Sequence, residues 1–149
     1  MKLLPLIALN LGLSVWSMAD RSEGAIILTR ENAASHGFLI QSDTGSIQKE
    51  RKGSYEPYAH NYRVSVEVKN KEENKGDIVF LFVVSSEDDG NDYGSSVIRR
   101  LAYPKTKAML TLTVGLDFEE RAKVVIIDNR SDESKFYAFK PKDFERKKS

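Results

Sequence analysis

The chain has 149 residues, no cysteine, two histidines, and 23 Lys+Arg against 22 Asp+Glu. That length sets one compact domain as the expectation. The lack of cysteine excludes a disulfide framework, cysteine-ligated zinc, iron–sulfur centres and thiol catalysis, and the balanced charge argues against nucleic-acid binding through a broad basic face.

Residues 1–19 read as an export leader. Lys2 precedes an apolar run over 3–16, and Ser17-Met18-Ala19 then places small residues in the A-x-A-like pattern of a cleavage site. The run is shorter than the roughly 20 residues a membrane span needs; the alternative is a buried N-terminal helix. Cleavage removes Lys2 and Trp16, the only tryptophan, and leaves a chain with no net side-chain charge. The expected mature protein, 20–149, is secreted or periplasmic and has no membrane span.

Alternation with a period of two dominates the rest. Strands are expected over 25–29 and 37–41. In 62–69, Val64, Val66 and Val68 take one face while Arg63, Ser65, Glu67 and Lys69 take the other, as in a strand with one wet side. A polar turn over 70–76 leads to 77–84, which is apolar at both parities and so belongs in mid-sheet. Its β-branched and aromatic content favours strand over a short helix. Further strands fall at 96–102, 108–114, 122–128 and 135–139, and a single helical turn is open to 117–122. About eight strands at this spacing predict an all-β sandwich over 20–140. The polar basic tail, 141–149, is expected to fray, because Pro141 has no donor for a ladder.

The succession Val64-Ser65-Val66-Glu67-Val68-Lys69-Asn70, a turn, the apolar strand over 78–85, an Asp/Gly loop, and Tyr103-Pro104-Lys105-Thr106 leading into alternating Leu110, Leu112 and Val114 resembles secreted Ig-like modules of the CARDB and FxLYD type. The resemblance covers residues 62–129. It implies an Ig-like antiparallel sandwich of seven to eight strands with an accessory or binding role, and it transfers no site residues.

Two segments carry candidate chemistry. Residues 49–62 mix cations with tyrosines and a histidine, which marks Arg51, Tyr55, Tyr58 and His60 as candidate binding residues, since tyrosine and arginine are enriched at interaction hot spots. The plainer reading of the same stretch is a long connection pinned to the sandwich edge by its tyrosines. In 87–94, Asp88, Asp89, Asn91 and Asp92 offer hard oxygen ligands of the kind calcium takes. The EF-hand template fails there, because its twelfth position is Arg100 and no helices flank it, and a solvated hairpin explains the same composition.

The remaining features point away from catalysis. His36 and His60 have no metal-ligand spacing, and Gly94-Ser95-Ser96 is no nucleophile elbow. Glu119-Glu120 reads as a solvated pair, and Arg99-Arg100 as edge protection. The sequence therefore predicts a non-catalytic binding or accessory protein with no cofactor, recognising a protein or cell-envelope partner and not nucleic acid. Three alternatives stand: a carbohydrate-binding, lectin-like module, with or without calcium; a structural subunit of a surface assembly; and a small hydrolase with a dyad among its carboxylates and two histidines.

Overall fold

The computed structural model describes residues 24–48, 57–85 and 92–146; residues 46–48, 57, 58 and 92–95 are described at the backbone only. The expected leader, 1–19, lies outside the described residues. Eight strands form: β1 (Ile26–Ile27), β2 (Phe38–Gln48), β3 (Pro57–Val68), β4 (Ile78–Ser85), β5 (Asp92–Leu101), β6 (Lys107–Gly115), β7 (Ala122–Asp128) and β8 (Lys135–Phe139). They make a five-stranded sheet, β1-β8-β7-β4-β5, and a three-stranded sheet, β2-β3-β6. The protein is an all-β sandwich. Among the described residues no helix is long and apolar enough to cross a membrane.

The alternation in the sequence sets which face of each strand is buried. On β3, Val64, Val66 and Val68 are buried while Arg63 and Glu67 are exposed. On β6, Ala108, Leu110, Leu112 and Val114 are buried between exposed Lys107, Met109, Thr111 and Thr113. Antiparallel register sets Val64 against Leu110 and Val66 against Ala108, so the apolar rows share one face. Against them lie Ile78 and Phe80 of β4 and Val124 and Ile126 of β7, in the same core. Each fully buried Val, Ile or Phe contributes about 1.5–3 kcal/mol, which suffices for a domain without cross-links.

Doubly apolar β4 and β7 sit at the centre of their sheet, as expected. Their second parity (Val79, Leu81, Val83, Val125, Ile127), together with Ala138, forms a separate buried cluster against which Ala25 and Phe136 pack. The two clusters on opposite faces explain why these segments carry no wet side.

Four features depart from the sequence reading. The first strand is only two residues long and runs parallel to β8, with Ile26 opposite Tyr137, so the sandwich is not wholly antiparallel. Asn32 cuts this strand short: its side chain accepts from Thr29 N at 2.8 Å and donates to Ile27 O at 2.9 Å. The chain then turns through a 3-10 segment, Ala34–His36, and leaves on Gly37 at φ 88°, a left-handed value that favours glycine. His36 lies on this turn, its ring edge-on to Tyr137 at 5.6 Å, and does not begin a strand.

Second, β3 begins at Pro57, so Tyr58 and His60 belong to a strand and not to a connection. Third, β5 begins at Asp92 rather than near 96, and β2 runs on to Gln48 rather than ending at 41. Fourth, residues 141–146 pack on the sandwich instead of leaving it as a free tail. Pro141–Phe144 form a 3-10 turn, and Phe144, the one large apolar side chain among these charges, is buried edge-on against Phe139 at 5.5 Å. The domain therefore runs past residue 140.

Candidate functional site

The β6–β7 turn lies at the end of the sandwich where β2 and β4 finish and β3 and β5 begin. The register places it there: Ala59 of β3 faces Gly115 of β6, and Val84 of β4 faces Ala122 of β7. Of the sequence-predicted site residues, Arg51 and Tyr55 lie outside the described residues, as do Asp88, Asp89 and Asn91. Tyr58 and Asp92 are described at the backbone only, as the second residue of β3 and the first of β5. His60 alone is described with its side chain.

His60 shares parity with Tyr62, Val64 and Val66, so it extends the inward-facing row of β3. The strand reaches past the apolar core here, and valine gives way to groups with polar atoms. His60 Nδ1 is hydrogen-bonded to Glu119 Oε1, and Tyr62 donates its hydroxyl to the same oxygen at 3.1 Å. The two rings meet edge-on at 5.9 Å. Glu119 follows a 3-10 turn, Leu116–Phe118, that links β6 to β7.

The side chains of His60 and Glu119 are 27% and 15% exposed, and Tyr62 is buried. Burial pushes the Tyr62 phenol up to about 12; nearby Glu145 and Glu120 add to the rise and Lys142 opposes it. Glu120 is not merely solvated. Lys142 lies 2.5 Å and Lys140 3.7 Å from its carboxylate, and these ammonium groups hold its carboxyl below the usual range.

Arg121 fixes the turn from the other side. Its guanidinium lies 4.8 Å from the Phe118 ring centre and donates to Ser85 O at 3.0 Å and Asp117 O at 3.3 Å. The turn is thereby tied to the last residue of β4, beside the root of the β4–β5 connection. Leu116 and Phe118 are 39% and 44% exposed at its tip. Leu116, Phe118, Glu119 and Arg121 escape sequence reasoning because their meeting depends on the β6–β7 turn. The shared parity of His60 with the β3 valines was the one available signal.

A histidine oriented by a carboxylate is half of a proton-transfer pair. The Tyr62 hydroxyl is committed to that same carboxylate. Among the described residues no group of three or more His, Asp or Glu side chains could hold a metal ion. The arrangement fixes a mixed surface, with two exposed apolar side chains set among ordered charges.

The opposite end carries an open groove of about 780 Å³, lined by Phe38, Leu39, Glu67, Lys69, Lys71 and Thr106 among others. At the same end, just before β4, burial pushes the Asp77 carboxyl up, but hydrogen bonds from Asn129 and Arg100 outweigh it and hold the group below its ordinary value.

No family model, curated protein or solved structure matched this chain.

Proposed function

We propose that the protein is an exported, non-catalytic recognition module, Ig-like in type, that engages a protein or cell-envelope partner through the end of the sandwich bearing His60 and the β6–β7 turn. One observation carries this reading: Leu116 and Phe118 stand exposed on a turn immobilised by Arg121, with Glu119, Glu120 and Lys142 held around them. Loops displayed by a rigid scaffold are where such folds place recognition. Exposed apolar side chains with charged groups around them match the apolar centre and polar rim of a recognition surface. The three-on-five strand order supports kinship with Ig-like modules, an argument from analogy. The export step rests on the leader-like residues 1–19.

The test is binding of the chain to envelope fractions and to a glycan array, with Phe118→Ala and Glu119→Gln in parallel. Saturable envelope binding that Phe118→Ala weakens by about tenfold, at an unchanged melting temperature, supports the reading. Binding that neither substitution alters overturns the site, and calcium-dependent binding to glycans alone replaces it with a lectin. An N-terminus at Asp20 in protein isolated from its own cells tests export separately.

A further inference from the structure

In a two-layer sandwich only one face of each sheet meets the other sheet. On the outer face of the five-stranded sheet, Val79, Leu81 and Val83 of β4, Val125 and Ile127 of β7 and Ala138 of β8 are nonetheless only 1–7% exposed. Among the described residues, the partly buried apolar groups packed on them are Ala25 and Phe136, and Phe136 belongs to β8 itself. These two do not close a surface three strands wide. The closed area also has borders. On the same face Ile27 of β1, opposite Ala138, is 56% exposed, and Val97 of β5, opposite Leu81, is 54% exposed. Burial therefore covers β8, β7 and β4 and stops at both edges of the sheet.

What closes this area is chain outside the described residues, and composition separates the candidates. Residues 49–56, 86–91 and 147–149 hold a single aromatic, Tyr55, among polar and charged side chains. Residues 3–16 are apolar except for Asn10 and Ser14. Residues 17–23 link that run to Gly24, and Ala25 already lies on the cluster. The size fits as well. Three strands about 4.8 Å apart span about 10 Å, the width of one helix of about 10–12 Å. On a helix Asn10, Ser14 and Ser17 would fall at i, i+4 and i+7, one polar stripe that leaves the opposite side apolar.

We propose that the outer face of β4, β7 and β8 is a docking surface for the chain's own residues 3–16, which form a third layer over it while residues 1–19 remain attached. Cleavage after Ala19 would carry this cover away and bare the face. The inference concerns the uncleaved chain and is independent of any partner at the His60 end.

Trp16 is the only tryptophan, so its fluorescence reports on the segment alone. The experiment uses the full chain, its intact N-terminus verified by mass and its monomeric state by sedimentation velocity. Docking predicts Trp16 emission blue-shifted from that of the urea-unfolded chain, with loss of most quenching by acrylamide. Leu81→Ala, on the face, should restore part of the quenching. Leu9→Asp combined with Leu13→Asp, in the segment, should restore all of it and let an apolar dye bind the bared face, while the strand circular dichroism is retained. Leu81→Ala decides the matter if the double variant aggregates. A folded monomer whose Trp16 is quenched as in urea overturns the proposal. So does shielding that Leu81→Ala leaves unchanged, or that arises only at concentrations where the chain dimerises.

Discussion

Arg130 closes a two-pronged fork on Asp128, two residues earlier in the chain, with Nε to Oδ1 and Nη2 to Oδ2 both at 2.9 Å. The two side chains are only 16% and 11% exposed, and the Arg130 backbone N–H adds a third bond at 3.1 Å. The fork also holds Lys69 O through Arg130 Nη1. It thereby ties the end of β7 to the residue just after β3, joining the two sheets opposite the His60 end.

The fork should make stability depend on acid. Burial pushes the Asp128 carboxyl up, but the Arg130 side chain and backbone N–H outweigh burial and hold it below its ordinary value. A carboxyl lowered in the folded state stabilises above its unfolded pKa of about 3.9, and that contribution disappears as pH falls through the folded value. Asp77 acts in the same direction. The urea midpoint of the wild type should therefore fall between about pH 5 and pH 2. Asp128→Asn should lose about 3 kcal/mol at pH 7, since it leaves a half-buried guanidinium unpaired, and its midpoint should fall less steeply in acid. Equilibrium unfolding across this range checks both.

At the alkaline limit the sign reverses. The Tyr62 phenol sits at about 12 when folded, against about 10 in the unfolded chain. A group whose folded pKa is raised stabilises below its unfolded pKa, and this is lost as pH climbs from about 10 to 12. Tyr137 is also raised, by burial first and by Asp128 next. Ultraviolet titration should show at least one tyrosine ionising late, together with unfolding. Tyr62→Phe should remove a late-ionising phenol and flatten the stability profile above pH 10, at the expense of its hydrogen bond to Glu119, worth about 1 kcal/mol.

The sheets were legible because burial imposes period two on β3 and β6 and double apolarity on β4 and β7. Those patterns are local, and β4, β6 and β7 lie close to where they predict, whereas β3 starts five residues earlier. The β1–β8 pairing was not legible as parallel, because Ile26 and Ile27 carry no sign of direction. Phe144 was lost in a charged string, since one aromatic among many lysines gives no period. Glu119 and Glu120 show the same limit: their partners, His60 and Lys142, lie 59 and 22 residues away. Long-range ion pairs leave no imprint on local sequence, whereas apolar alternation does.

Two glycines give opposite expectations for the same substitution. A Cβ built on Gly76 would lie 1.7 Å from Asn129 O and 2.5 Å from Asn129 C, both backbone atoms of the turn after β7. That turn is pinned, because Asn129 donates its backbone N–H to Asp77 O at 2.9 Å and its side-chain amide to Asp77 Oδ1 at 3.1 Å. Gly76→Ala must push two backbones apart and should destabilise by about 2–3 kcal/mol, the upper range of overpacking. A melting temperature lower by about 6–10 °C would register it. On Gly115 the nearest atom to an added Cβ is the Phe118 ring, at 3.2 Å, and that exposed ring can swing outward. Gly115→Ala should therefore move the melting temperature by less than about 2 °C while displacing the Phe118 tip. If the end bearing Phe118 is the recognition surface, Gly115→Ala weakens binding at near-constant stability, whereas Gly76→Ala lowers stability and leaves the affinity of the folded fraction unchanged.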